Sequence, residues 1–341
     1  MKILIINPLD ETNLDGKKGG NQRLAEALAH NLRKYTSHTV MEHYTHFNDY
    51  TLYNIIKAYI KNRRIDCSAY DCVITIKFPS YVIRHKNHIS LINHRMRQFN
   101  DLWPEYKKQF SGFALFKRKI LRLILRVVDT YYLKKTKKIY AQSGVIRKRL
   151  LHSGIISEVL YPPETIDGLE KGAYNYLFLP GRLDDERKRV SLVIDAMKLV
   201  KGHVKLIISG DGNDRIALHE RAASDKRIVF MDYVDEQKLI SLYKDALAVI
   251  FVPAAEDYGL VAIEAMKCAK PVITCSDSGG PTEIVKNFHN GFVCAPTPKS
   301  IAQSITYLTQ HPDEAKRMGK NAFDDGLHIN WKNYIQKILS T

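Results

Sequence analysis

The chain lacks any apolar run long enough to cross a bilayer. Its longest, Ala246 to Ala255, holds ten residues and includes a proline, against the roughly 20 that a membrane helix requires. It also lacks a cysteine framework: the five cysteines, Cys67, Cys72, Cys268, Cys275 and Cys294, are odd in number and match neither zinc-ligand spacing nor a redox pair. They read as reduced core thiols. There is no low-complexity tract and no internal repeat, and no Asp-x-Asp metal signature stands at the end of a strand pattern. The N-terminus, "MKILIINP", has four apolar residues after its lysine before polar ones follow, which suits a first strand and not a signal peptide. These absences point to a cytoplasmic, globular chain.

At 341 residues, 45% hydrophobic and 26% charged, the chain exceeds one comfortable core and suits two domains. Its formal net charge of +16 is unevenly placed: residues 1–165 carry 29 Lys and Arg against 13 Asp and Glu, and the remainder carries 23 of each. A basic first half attracts an anionic membrane surface, a phosphate-bearing substrate or nucleic acid, or is simply a soluble face without a partner.

Both halves alternate apolar runs with helical patterns. In the first, "KILIIN", "DCVITIKF", "HISLIN" and "KKIYAQS" are strand candidates, and "NQRLAEALAHNLRKY" is a helix. In the second, "YNYLFLPGR", "VKLIISGDG", "RIVFMDYV", "LAVIFVP" and "PVITCSDSGG" each end in turn residues. Alternation of this kind implies parallel strands with crossover helices, hence an α/β chain of two doubly wound domains. The expected division is 1–165 for the first domain and 166–325 for the second, with the linker at "LYPPETIDGLEKGAYN". Residues 326–341 form a last helix, with Trp331, Tyr334, Ile335, Ile338 and Leu339 at helical spacing, packing back on the first domain.

Ligands of open parallel sheets lie beyond the carboxyl ends of the strands. In the second half "GRLDDERK", "SGDGND", "AAEDYGL" and "DSGGP" all fall there. Glu256 stands in the turn, a helix begins near Tyr258 or Gly259, and Glu264 follows with seven residues between the two acids. A helix start with a glycine is an anion site for a diphosphate. Carboxylates before the helix and two turns into it can hold a polyol on each flank. Glu264 sits among Val261, Ala262, Ile263, Ala265 and Met266, so it is expected to be buried and to need partners. Arg182 and Lys188 would neutralise the diphosphate, whereas Arg187 and Arg189 read as solvated charges.

These residues resemble the donor half of retaining glycosyltransferases of the GT-B fold, family four (glycosyl transferases group 1). Arg182, Lys188, Gly210 to Gly212, Glu256-x7-Glu264 and "DSGGPTEIV" carry the resemblance, which is strong over residues 175–310 and weaker over the first half. It implies two Rossmann-like domains facing a central cleft and a nucleotide-sugar donor. The implied roles are Glu256 on a donor-sugar hydroxyl, Glu264 on the ribose, and Arg182 and Lys188 on the diphosphate. Backbone amides of Tyr258, Gly259 and Leu260 are implied at the phosphate and sugar, with Gly210 and Gly212 on the donor side. "FMDYV" departs from the family, which often has glycine where Asp232 stands.

In the first half, "KKGGNQR" places Gly19 and Gly20 where relatives have a glycine loop facing the phosphates. "NHRMRQFNDLW" resembles a subgroup whose motif runs His-Gln-His-Arg and then Tyr-Asp-Leu-Trp. His94 matches the first histidine and Arg97 the arginine, while Met96 and Asn100 replace the second histidine and the tyrosine; His94 is thereby implied at the reacting sugar or acceptor. Between Leu115 and Tyr131, Phe116, Ile120, Ile124, Val127, Val128 and Tyr131 share one helical face and Lys119, Arg122 and Arg126 the other. Either the apolar face packs into the core beneath a solvated basic side, or the helix attaches peripherally to anionic lipid on the inner face of a membrane.

The implied reaction moves a hexose, mannose from GDP-mannose first and a UDP-hexose second, to a hydroxyl of a glycan or lipid-linked glycan. It proceeds with retention and without metal or cofactor, in surface polysaccharide (O-antigen, lipopolysaccharide) biosynthesis. A GT-B-shaped sugar-nucleotide epimerase would use the same donor without an acceptor. A nucleic-acid-binding protein would explain the basic half but gives the paired glutamates no role, so nucleic acid is not an expected partner.

Overall fold

The computed structural model describes residues 1–10, 19–47 and 51–340; Lys17 and Lys18 of the "KKGG" turn lie outside them. The chain divides into two compact units, Met1–Pro162 with Trp331–Thr341, and Pro163–Asn330. The sequence reading set its boundaries at 165/166 and 325/326.

The first unit is built on a six-stranded sheet of β1 (Lys2–Asp10), β2 (Thr39–Phe47), β3 (Cys72–Ile76), β4 (His88–Ile92), β5 (Lys138–Ala141) and β6 (Glu158–Val159). The order is β2-β1-β3-β4-β5-β6, and every pairing is parallel. The interior strands are apolar runs because helices cover both faces. All five residues of β3, and all five of β4, are buried. The strands missed from sequence are β2 and β6, both sheet edges. In β2 Met41 is exposed while Val40 and Thr45 are buried, so the apolar signal is diluted by solvent-facing residues.

The helix Trp331–Leu339 belongs to this unit by its contacts. Trp331, Tyr334, Ile335 and Ile338 are buried against Leu24, Leu28, Leu32, Ile3 and Ile5, and the Tyr140 hydroxyl donates to the Lys337 carbonyl at 2.9 Å.

The second unit has β7 (Tyr176–Pro180), β8 (Leu206–Ser209), β9 (Ile228–Phe230), β10 (Ala246–Ile250), β11 (Val272–Cys275) and β12 (Gly291–Cys294) in the order β12-β11-β10-β7-β8-β9. Again all pairs are parallel. The short edge strand β12 was not anticipated. The chain proceeds outward from β7 through β8 and β9, then returns to the other side of β7 for β10. The reversal therefore falls between β7 and β10, and a crevice opens beyond the carboxyl ends of strands at such a point.

All five cysteines are free and buried. Burial pushes the Cys67 and Cys72 thiols up to about 11 and Cys268 to about 12, so these three stay protonated at neutral pH.

Of the two readings left open for the helix Gly112–Lys134, the core-packed one does not hold. The face bearing Phe116, Ile120, Ile124, Val127 and Tyr131 does not pack into the core; these side chains are exposed, and Leu125, Asp129 and Leu133 are the buried ones. Asp129 is anchored by the Tyr59 hydroxyl, which donates to its Oδ1. The inward side thus combines two leucines with one hydrogen-bonded carboxylate.

Replacing Trp331 by Ala is expected to cost the first unit about 3 kcal/mol, the usual loss for emptying a buried indole site. Urea unfolding followed by circular dichroism checks this; an unchanged midpoint would separate the helix from the unit's core.

Candidate functional site

The site assembles at the β7/β10 reversal, entirely within the second unit. After β7 the chain continues as Gly181-Arg182-Leu183, paired with the segment after β8. The Gly181 amide donates to the Ser209 carbonyl and the Leu183 amide to the Asp211 carbonyl, both at 2.9 Å. Gly210 lies where a Cβ would come within 1.7 Å of the Gly181 carbonyl oxygen, and a Cβ on Gly212 would meet Leu183 backbone at 2.5 Å. The two glycines let one turn lie against the other.

A single helical turn, Asp185–Lys188, follows and is broken at Arg189 (φ 54°) before the helix Val190–Met197. Lys188 therefore sits at the end of this turn, ahead of the longer helix. Arg189 is not a solvated charge. Its guanidinium binds Asp277 bidentately at 2.8 and 2.6 Å, and these hydrogen bonds hold the Asp277 carboxyl below its usual range.

The segment after β10 is clamped to the segment after β11. The Ala255 amide donates to the Asp277 carbonyl at 3.1 Å and the Glu256 amide to that of Ser278 at 2.8 Å. The Gly280 amide donates back to the Glu256 carbonyl at 2.9 Å. Gly279 and Gly280 permit this approach, since a Cβ on either would come within 2.5 Å of the Glu256–Tyr258 backbone. On this clamped segment Glu256 meets Lys188: Nζ to Oε2 is 2.6 Å, with both side chains largely buried. The ammonium also lies 5.4 Å from the centre of the Phe251 ring.

Three residues after Glu256, Gly259 (φ 94°) caps the helix Leu260–Lys267. Its left-handed backbone suits glycine, and a Cβ there would press on Phe251 and Pro281 at 2.8 and 2.9 Å. Leu260 and Val261 occupy the first turn, whose amides the helix itself cannot satisfy and whose dipole favours an anion. Tyr258 is buried beside them.

Glu264, one turn into this helix, is buried, and the Tyr243 hydroxyl donates to its Oε2 at 2.6 Å. Tyr243 is itself fully buried and meets Phe178 edge-on at 5.1 Å. Sequence reasoning required a partner for Glu264 but did not find this one. Tyr243 comes from the helix Glu236–Lys244, 21 residues earlier, and nothing local marks it.

Arg182 differs from its expected companion Lys188. Its side chain is 74% exposed and its contact is Asp184, Nη1 to Oδ2 at 3.2 Å. Asp232, where the family often has glycine, adopts φ 48°, a conformation Asp tolerates better than most residues. Its carbonyl accepts from the Gly210 amide at 2.7 Å, so the backbone geometry of the turn survives the change of side chain.

In the first unit, Gly19 caps the helix Gly20–Tyr35 in extended conformation (φ −74°), and its carbonyl accepts from the Gln22 and Arg23 amides. His94 follows β4; its amide donates to Asn93 Oδ1 at 2.7 Å, and its Nδ1 lies 2.8 Å from the Arg95 carbonyl. It lines a cavity of about 20 Å³ with Asn93, Arg95, Asp101 and Arg149, room for a water and not a sugar ring. Arg97 donates to Asp101 from Nε and Nη2 at 3.0 and 2.8 Å. His85 and His88 have structural partners, the Tyr70 carbonyl and the Thr75 hydroxyl; burial pushes His88 down to about 3.

With this geometry in place, residues 164–325 match the family model described as glycosyl transferases group 1. The human alpha-1,3/1,6-mannosyltransferase ALG2 is 25% identical over 49% of this chain and 47% of its own length. An uncharacterized glycosyltransferase of Methanocaldococcus jannaschii, MJ1607, is 36% identical over 47% and 42%. The chain spans about half the length of the curated relatives it matches. Among solved structures, the apo lipopolysaccharide outer core galactosyltransferase WaaB superposes with a TM-score of 0.70 at 17% identity, covering 100% of this chain and 99% of that one. The Anabaena protein HepE, solved with UDP and glucose, gives 0.70 at 16% identity with coverage of 100% and 99%. These likenesses establish the fold as GT-B.

Two outcomes follow from the geometry. Tyr243→Phe removes the donor to a buried carboxylate and is expected to lower stability by about 1–3 kcal/mol, read by urea unfolding. The Asp277 carboxyl is depressed in the folded state, so its contribution is present above the unfolded value of 3.8 and is lost as pH falls through the lower folded value. The acid side of the stability profile should accordingly be shallower in Asp277→Asn than in wild type, and an identical profile would remove the Arg189 link.

Proposed function

We propose that this chain, whose residues 164–325 belong to the glycosyl transferases group 1 family, moves a hexose from a nucleoside-diphosphate sugar to a hydroxyl of a growing glycan. The observation carrying this reading is the Lys188–Glu256 pair, 2.6 Å apart, beside a glycine-capped helix start. One cation, one carboxylate and a row of first-turn amides are what a diphosphate joined to a sugar needs at a single point.

In this reading the donor diphosphate lies over Gly259, Leu260 and Val261. Lys188 turns from Glu256 to the phosphate, and Glu256 accepts hydrogen bonds from the sugar. Arg182, exposed and paired with Asp184, swings to the same phosphates. Glu264 accepts from the ribose while Tyr243 fixes its orientation. As the bond from the anomeric carbon to the diphosphate breaks, negative charge grows where the ammonium, guanidinium and amides already point. The acceptor oxygen bonds to the anomeric carbon on the face the phosphate leaves, and its proton passes to the departing phosphate oxygen, so configuration is retained. Fixed cations take the charge-neutralising role that a divalent metal plays elsewhere, so activity should persist in chelator.

Mannose from GDP-mannose is the first candidate donor, supported by the mannosyltransferases among the relatives; a UDP-hexose is the second, supported by the UDP complex of HepE. A lipid-linked glycan in surface polysaccharide assembly is the proposed acceptor, consistent with the lipopolysaccharide galactosyltransferase sharing the fold. His94 is proposed to face the acceptor, with Gly19 and Gly20 toward the phosphates.

Glu256→Ala and Lys188→Ala are expected each to lower turnover by about 100- to 1000-fold, the usual cost of removing one transition-state contact, with the unfolding midpoint unchanged. Turnover near wild type in either would overturn the assignment. A thermal-shift series with GDP-, UDP- and dTDP-sugars identifies the donor, because a true ligand present at 100 times its Kd adds about 2.7 kcal/mol of stability. Product anomer configuration by NMR tests retention.

A further inference from the structure

The outward face of the Gly112–Lys134 helix is used by nothing described above. Seven of its apolar side chains, Phe113, Phe116, Ile120, Leu123, Ile124, Val127 and Tyr131, are between 45% and 70% exposed. At 100° per residue they fall within an arc of about 100°, on the side opposite buried Leu125, Asp129 and Leu133. The 23-residue helix therefore carries an apolar stripe from Phe113 to Tyr131 about 27 Å long. Cations line both edges: Lys119 and Arg126 on one, Lys117 and Lys135 on the other. Lys117 and Lys135 lie over the rings of Phe113 and Tyr131, 4.5 and 4.1 Å from their centres. The helix has one carboxylate, Asp129, and it is buried.

A second helix packs against the first and has a similar composition. Leu52–Arg63 contains no acidic residue and is joined to the first through Tyr59 to Asp129 and through the Arg63 guanidinium over the Tyr132 ring at 5.1 Å. It exposes Tyr53, Ile56 and Ile60 alongside Lys57 and Lys61.

We infer that the outward face of the Gly112–Lys134 helix docks on an anionic phospholipid bilayer, lying in the plane of the interface. The charge pattern selects this occupant. An apolar stripe between two rows of Lys and Arg, free of carboxylates, puts side chains into the acyl boundary while the cations reach the headgroups. A second copy of the same face would set cation against cation with no acid to pair them. Among the described residues no helix is long and apolar enough to cross the bilayer, so the attachment is peripheral. This inference is independent of which sugar the second unit handles.

Flotation of the full chain with vesicles tests it. Vesicles of phosphatidylcholine mixed with phosphatidylglycerol should carry the protein, those of phosphatidylcholine alone should carry much less, and added salt should release it. The triple variant Lys117→Gln, Lys119→Gln, Arg126→Gln should lose about 100-fold in partitioning, at about fivefold per cation near an anionic surface. Leu123→Ser with Val127→Ser should lose about tenfold or more. Both variants alter solvent-facing side chains, so thermal unfolding should match wild type; donor thermal shifts, read separately, report on the second unit. Absence of wild-type flotation with anionic vesicles, or equal flotation after the triple change, overturns the proposal. So does concentration-dependent dimerisation that Leu123→Ser with Val127→Ser abolishes, since the face would then belong to a second copy.

Discussion

The peptide at Glu256 is gripped from both directions: its amide donates to Ser278 and its carbonyl accepts from Gly280. That exchange welds the turn after β10 to the turn after β11, and the geometry of the candidate site descends from it. A carboxylate on an ordinary loop would wander by more than the length of a hydrogen bond. Here the backbone is fixed as firmly as in a sheet, so Glu256 can hold Lys188 at 2.6 Å and the next turn can enter a helix at a defined angle. Gly279 and Gly280 are the condition for this, because any side chain would collide with the opposing backbone.

A second tie reinforces the first. Arg189 reaches Asp277 with two hydrogen bonds, so the short turn carrying Lys188 is fastened to the same pair of loops that carries Glu256. The cation and the carboxylate are thus referenced to one frame. Glu264 is held by a different means: it is placed inside a packed helix and aimed by Tyr243. Arg182, 74% exposed and paired with Asp184, is the most open member of the set. The division between packed and exposed charge suits the ligand grip proposed for this site.

The basic character of residues 1–165 also acquires a location. The Gly112–Lys134 and Leu52–Arg63 helices concentrate cations around exposed apolar side chains, whereas the carboxylate on the longer helix is turned inward to Tyr59. The amphipathic pattern visible in sequence left two directions open for the apolar face, and the structure turns that face outward. Periodicity reports a stripe and is silent on direction; here Leu125, Leu133 and hydrogen-bonded Asp129, not the longest apolar row, sit inside.

Sequence alone determined the alternation of strands and helices, the placement of glycine-rich turns at strand ends, and the spacing that sets Glu256 before a helix and Glu264 within it, because each is written in local spacing and backbone chemistry. The short or half-exposed edge strands β2, β6 and β12 escaped because their apolar signal is interrupted by solvent-facing residues or lasts only a few positions. What tertiary structure decided were the long-range partners, Tyr243 for Glu264 and Asp277 for Arg189, and the outward direction of the amphipathic helix. None of these follows from spacing, since each depends on which distant segment the sheet order brings alongside.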